Sequence, residues 1–227
     1  MSTKFTFYGH AAIGIETSGY HVLVDPFLSG NAKASISADV VPADFILVTH
    51  GHSDHLGDAI AIAKRTGALL ISVAEIANWA KTKGVKSHGQ HIGGGYHHPF
   101  GYLKLTNALH GSALPDGSNG GNPVGFLLNT NDNQKIYLAG DTGLFGDMKL
   151  IGDEGLDLAA IPIGDNYTMG PADALRAVGL LHPRIVIPIH YNTFPLIQQD
   201  PVAWAKQVEE KTSTLVKILE PGQSITI

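Results

Sequence analysis

The 227-residue sequence predicts an α/β (α+β) chain: two β-sheets packed face to face with helices outside, four layers in one domain spanning residues 1–227. Three observations predict it. The chain opens with short alternating segments broken at glycine; from Phe45 apolar strands alternate with helical patterns; and no linker or low-complexity tract divides the two halves.

The opening segments run over Lys4 to Tyr8, Ala11 to Glu16 and His21 to Val24, separated by Gly9 and by Ser18-Gly19, as an antiparallel meander would be. A strand over Ile46 to Thr49, a helix over Asp58 to Arg65, a strand over Ala68 to Val73 and a helix over Ala74 to Lys81 follow, which is βαβ character. Asp58 suits a first helical turn, where the helix dipole favours a carboxylate. The stretch GQHIGGGYHHPFG leads into a strand over Tyr102 to Ala108; it lacks GxGxxG spacing and no helix pattern follows, so it does not support a dinucleotide site. The loop GSALPDGSNGGNP comes next, then strands over Val124 to Asn129, Lys135 to Ala139 and Asp157 to Ile161. Pro171 opens a helix, Ile185 to Ile189 forms a strand, and Asp200-Pro201 opens another helix. Strands over Thr214 to Leu219 and Ser224 to Ile227 end the chain.

Composition narrows the function. A hydrophobic content of 44% supports a real core, and a net charge of -5 with no Lys/Arg cluster gives no footprint for duplex nucleic acid. The absence of cysteine excludes disulfides, thiolate metal sites and a cysteine nucleophile, and suits the cytoplasm. No apolar run approaches the roughly 18 residues that span a bilayer, and the N-terminus has no leader pattern, so a soluble, unprocessed protein is expected. Histidine, at 12 residues, is in excess.

Five strands end in a metal-ligand residue: HVLVD at Asp25, FILVTH at His50, LTNALH at His110, KIYLAGD at Asp141 and IVIPIH at His190. The crevice beyond strand ends is where open sheets bind ligands, so these groups are expected to converge. The dense THGHSDHLGD adds His52, Asp54 and His55, read as a loop between strand and helix. Imidazole and carboxylate without thiolate suit zinc, manganese, iron or nickel, and the number of candidates is enough for two ions.

HGHSDH, with an Asp ending an earlier strand and His, Asp and His ending later ones, resembles the metallo-β-lactamase superfamily. LVDPFLSGN, ILVTHGHSDHLGDA, YLAGDTGLFGDM, IPIGDNYTMGPADA and VIPIHYNTFPLI look like segments of its metal-dependent hydrolases related to bacterial ascorbate-phosphate lactonases. The resemblance implies the metallo-β-lactamase fold, a four-layer αββα sandwich of two mixed β-sheets with a dinuclear site at one edge. It implies His50, His52 and His110 for one divalent metal ion, Asp54, His55 and His190 for the second, and Asp141 bridging them. Asp25 matches an early aspartate that supports the site from behind the ligands, and His10 lies in a Gly-His-Ala segment that the family shares, with the same kind of role. Asp165 stands where relatives often carry glycine. His21, His88, His97, His98 and His182 are expected to be strand or surface residues.

A metal-bridged hydroxide would then be the nucleophile on a phosphodiester or a lactone or carboxylic ester, with Asp54 ligating and orienting it. Asn192 is a candidate donor to a developing oxyanion, and Tyr167, Thr168, Met169, Tyr191 and Thr193 are expected to contact the small-molecule substrate. The lack of arginine beyond Arg65, Arg176 and Arg184 argues mildly against multi-phosphate recognition. A di-iron oxidoreductase and a metal-binding protein without catalysis are the alternatives; His52 stands where the di-iron relatives tend to carry Glu. Enzymes of the family are often oligomeric, so self-association is also expected.

Overall fold

The computed structural model describes residues 2–227. Two seven-stranded sheets form the frame. The first contains β1 (Lys4–Gly9), β2 (Ala12–Thr17), β3 (Tyr20–Val24), β4 (Phe45–Leu47), β5 (Leu69–Val73) and β6 (Ser87–Gln90), with the C-terminal β14 (Ser224–Thr226) beside β1. The second runs in the order β13 (Leu215–Val216), β12 (Ile185–Ile189), β11 (Leu158–Pro162), β10 (Lys135–Leu138), β9 (Val124–Thr130), β8 (Gly101–Asn107) and β7 (Gly95–His98).

Both sheets are mixed in the same way. Strands β14, β1, β2 and β3 pair antiparallel, as do β7 to β10, while β3 to β6 and β10 to β13 pair parallel, all but the β3–β4 pair being joined through helices. Short loops permit the first kind; a crossover demands the second.

Helices cover the outer faces. α2 (Ala59–Thr66) and α3 (Ala74–Thr82) bury Ile62, Ile76 and Ala80 in the core that the two sheets share with Phe5, Ile13, Leu23, Ile46, Leu103, Phe126 and Leu128. α4 (Met148–Gly152), α5 (Pro171–Leu181) and α6 (Pro201–Lys211) make a second core on the outer face of the other sheet, around Met148, Val178, Leu181, Trp204 and Val208. Side chains along β10 and β11 alternate between these cores: Ile136 and Leu138 face inward with Leu158 and Ala160, while Tyr137, Ala159 and Ile161 face the helices. That period of two, apolar on both faces, is why these strands read as continuous hydrophobic runs. Asp200 caps α6 by accepting from the Val202 and Ala203 amides, and Pro201 follows at the first helical position.

The architecture is the expected four-layer sandwich, with several local corrections. The Gly- and His-rich stretch forms edge strands β6 and β7, where its exposed, poorly patterned side chains gave no strand signal. α4 and the 3-10 turn at Pro195–Ile197 are too short to show a period. Residues Ser53–Leu56 form a one-turn helix, α1, inside the stretch expected as loop. Asp58 does precede α2, but its carboxylate does not cap that helix; Oδ2 accepts from the Leu28 and Ser29 amides and ties down the 26–31 loop. Among the described residues, no helix is long and apolar enough to cross a membrane.

Candidate metal centre

β3 and β4 run parallel in one sheet, and β8, β10 and β12 share a direction in the other, so all five ligand-bearing strand ends reach the same edge. Two backbone hydrogen bonds join the sheets there: Val124 donates to the Thr49 carbonyl at 3.0 Å and His190 to the His10 carbonyl at 2.8 Å. The chain turns off its strands abruptly. His10, Asp25 and His190 all adopt left-handed backbone conformations, at φ of 59°, 43° and 54°. Non-glycine residues enter that region at a cost on the order of 1 kcal/mol each, and such strain collects where a side chain must be aimed at a site. Gly140, before Asp141, also has a positive φ of 60°, and a Cβ there would lie 2.8 Å from the Thr49 side chain.

The expected residues are brought together. Their donor atoms fall into three overlapping groups, each with all atoms within 4.8 Å of one another: His50, His52 and His110; His50, His55 and Asp141; and His10, Asp54, His55 and His190. Asp141 sits between them, with Oδ1 3.2 Å from His55 Nε2 and Oδ2 3.5 Å from His110 Nε2 and 3.0 Å from His190 Nε2.

The way these atoms face one another fits a cation. His55 Nε2, Asp141 Oδ1 and both ring nitrogens of His190 are buried with no hydrogen-bond partner. Buried polar atoms are rarely left so, because each forfeits its hydration without replacement. The nitrogens and carboxylate oxygens approach to 3.0–3.2 Å but are not aligned as donor and acceptor. Atoms about 2.0–2.1 Å from one tetrahedral ion stand about 3.3 Å apart, each aimed at the ion and not at its neighbour.

Hydrogen bonds behind the ligands fix their tautomers. Asp25 Oδ1 accepts from the Thr49 amide at 2.8 Å, and Oδ2 accepts from the Thr49 hydroxyl at 2.6 Å and from His55 Nδ1 at 2.8 Å. Burial opposes a charge on His55, but Asp141 and Asp25 outweigh it and raise the group well above the ordinary imidazole range; in its neutral form, with the Nδ1 proton spent on Asp25, it would present the Nε2 lone pair to Asp141's side of the site. Thr49 gives its own proton to Asp25, so its oxygen accepts from His50 Nδ1 at 3.0 Å, and His50 is left with a lone pair on Nε2, which stands 3.0 Å from His52 Nδ1. Asp25 therefore has both carboxylate oxygens engaged by Thr49 and His55. His10 spans the site and its support: Nε2 is 3.2 Å from Asp54 Oδ2 and Nδ1 is 2.9 Å from Thr193 Oγ1.

Protonation follows the charges. Burial, then the neighbouring His55, holds His50 well below the ordinary imidazole range, and burial leaves His10 at about 4 despite its bond to Asp54. Burial works against a charged His190 as well, but Asp141 outweighs it and raises the group to about 9. Asp141 and Asp54 are held well below the carboxylate range; burial opposes their charge and the surrounding histidines overcome it. Of these groups only His190, like His55 above, is held protonated, beside two ionised carboxylates, and a divalent cation would take those protons' place.

A cavity of about 770 Å³ opens onto the donors. His52, Ser53, Asp54, His110, Asp141 and His190 form its floor, and Phe27, Tyr167, Phe194, Pro195 and Leu196 its walls. Of the expected substrate contacts only Tyr167 lines it. Met169 is buried in the outer core, Thr168 donates to the Met169 carbonyl, and Thr193 is bonded to His10. Tyr191 and Asn192 face a smaller cavity behind His10. Asn192 is a correction: its amide donates to the Gln199 carbonyl and accepts from the Gln199 amide, so it closes its own loop and is not turned toward the reaction. Asp165 lies in an exposed turn of left-handed residues and does not line the cavity. Sequence reasoning missed Phe27, Phe194, Pro195 and Leu196; their one signal was proximity to Asp25 and His190.

A family model described as Beta-lactamase superfamily domain matches residues 20–191. A UPF0173 metal-dependent hydrolase of Desulforamulus reducens is 53% identical over 99% of this chain and 100% of its own length. Its counterpart in Heliobacterium modesticaldum is 51% identical over 98% of this chain and 96% of its own. Among solved structures, Igni18, described as a novel metallo hydrolase from the hyperthermophilic archaeon Ignicoccus hospitalis, superposes with a TM-score of 0.92 at 36% identity, covering 100% of this chain and 99% of that one.

Proposed function

The chain belongs to the beta-lactamase superfamily and, within it, to the UPF0173 metal-dependent hydrolases, and from that premise we propose that it hydrolyses a small-molecule phosphodiester, lactone or carboxylic ester at a two-metal centre. His50, His52 and His110 would hold one divalent ion, Asp54, His55 and His190 the second, and Asp141 both. The single observation that carries this reading is the buried Asp141 carboxylate, which stands 3.5 Å from His110 of the first proposed ligand set and 3.2 and 3.0 Å from His55 and His190 of the second. Zinc, manganese, nickel and iron all suit such nitrogen and oxygen donors.

When bound, the ions supply a water acidified toward hydroxide at neutral pH and a Lewis acid for the scissile oxygen. The protein's own groups do the rest. Asp25 and Thr49 bind the Nδ1 of His55 and of His50, so that the Nε2 of each is turned toward the donor groups. His10 holds Asp54 at the cavity floor, where its carboxylate is placed to orient the attacking water.

The test is elemental analysis of purified protein together with assays on bis-p-nitrophenyl phosphate and a set of lactones, with zinc, manganese and nickel compared. Close to two equivalents of metal per chain and turnover abolished by EDTA are expected. A single equivalent at full activity would remove the two-metal reading; full occupancy with no turnover on any substrate would remove the hydrolytic one.

A further inference from the structure

We propose, on the hydrolase reading above, that the substrate is an uncharged carboxylic ester, open-chain or lactone, carrying an apolar acyl or aryl group, and that phosphodiesters are not its substrate class. The geometry divides the cavity into a polar floor and an apolar side. Phe27, Tyr167, Phe194, Pro195 and Leu196 supply that side. It begins next to the reacting groups: the Phe27 and Phe194 rings, 6.3 Å apart, both stand edge-on to the His10 ring, at 5.7 and 5.4 Å, and His10 is the residue bonded to Asp54. At the mouth, Leu196 and Tyr167 leave 65% and 51% of their surface in water. Large apolar side chains held in solvent around a concave polar floor gain by covering themselves with an apolar part of a ligand.

Charge argues the same way. Among the described residues, no lysine or arginine lines the cavity. Each guanidinium is committed elsewhere, Arg65 to the Val41 carbonyl, Arg176 to Asp173 and Arg184 to Asp157. A phosphodiester keeps a negative charge through the reaction and is ordinarily met by Arg or Lys donors as well as metal. A neutral ester needs none. Its polar demand ends at the acyl carbon, and its remainder matches the wall.

One water is consumed. Its oxygen bonds to the acyl carbon, the acyl C–O bond breaks with its electron pair leaving on the alkoxy oxygen, and that oxygen takes one proton. The second proton passes to solvent, giving an alcohol and a carboxylate; a lactone yields both on one molecule.

The test uses the metal-loaded full chain and compares p-nitrophenyl acetate, butyrate and hexanoate, δ-lactones with methyl, propyl and pentyl substituents, and bis-p-nitrophenyl phosphate. Along each ester series kcat/KM is expected to rise about fourfold per added methylene until the wall is covered. Bis-p-nitrophenyl phosphate is expected to lie at least about a hundredfold below the hexanoate ester. Leu196→Asp, at an exposed position, should cut the hexanoate-to-acetate ratio about tenfold. It should also weaken binding of the unreactive N-phenylhexanamide measured by calorimetry, with the circular dichroism spectrum unchanged. A flat or falling series, or faster turnover of the phosphodiester, would overturn this substrate class while leaving the hydrolase standing. Failure of every substrate on fully loaded protein would sink the hydrolase and this substrate class together.

Discussion

Asp25 Oδ2 lies 2.8 Å from His55 Nδ1, with both side chains buried. The pair comes from neighbouring strands of one sheet, the end of β3 and the helix α1 that follows β4, and it sets which nitrogen of His55 faces the donor groups. Asp25→Asn keeps the shape but removes the charge, and its amide would compete as a donor with Thr49 and His55. Metal affinity is expected to fall about 10- to 100-fold, the usual cost of losing a group that orients a ligand. Competition with a chromophoric chelator measures it. Affinity unchanged within twofold would mean that His55 is oriented by packing alone.

His52→Ala and Asp141→Ala should each lose bound metal and turnover while leaving the fold largely intact. Asp141 should cost more, because its carboxylate stands beside His55, His110 and His190, which between them belong to all three donor groups, while His52 belongs to one. Elemental analysis beside circular dichroism checks this. Normal metal content in both variants would contradict the ligand assignment.

The metal-stripped protein should be most stable near pH 6.5 and lose stability on either side. His190, raised to about 9 in the fold, contributes stability that is complete below the unfolded imidazole value near 6.5 and is lost as pH rises through about 9. The ceiling of that loss is roughly 3 kcal/mol. On the acid side, burial keeps His10 neutral to about 4, so below about 6.5 the unfolded chain binds a proton that the folded one refuses. Melting in EDTA across pH 4 to 10 reads both limbs; a Tm still climbing from pH 7 to 9 would contradict the charge state assigned to His190.

Asp200→Ala removes the side chain that caps α6 through the Val202 and Ala203 amides. A loss of about 1 kcal/mol is expected, which for a chain of this size is about 2–4 °C in Tm. Metal content and kinetics should not move, since α6 lies on the outer face of its sheet.

His97→Ala should change neither metal content nor turnover by more than about twofold, the range of an ordinary surface substitution. The residue is exposed on edge strand β7, with its ring against Tyr102 at 4.8 Å. A large loss in activity assays would show a role for this edge that the donor geometry does not suggest.

How much could be read beforehand depended on how local each cause is. The interior strands were legible because apolar residues filled short runs between turn residues, as in Phe45–Leu47 and Ile185–Ile189. β6 and β7 were not, because edge strands are held by pairing, and SHGQ and GYHH carry no burial pattern of their own. The ligand set was legible for a related reason: His50, His110, Asp141 and His190 all follow strands, and a strand end has only one edge of a sheet to reach.

Residue identity and periods of two or a few residues made the interior elements and the candidate donors readable from the sequence. Tertiary structure decided the direction of each side chain. It turned Asn192 away onto Gln199, buried Met169, committed Asp25 to His55 and Thr49, and brought Phe27 and Phe194 against His10 from parts of the chain far apart. The physical reason is that a side chain's partner is chosen by packing and hydrogen-bond satisfaction among segments distant in sequence, and neither is encoded in local spacing.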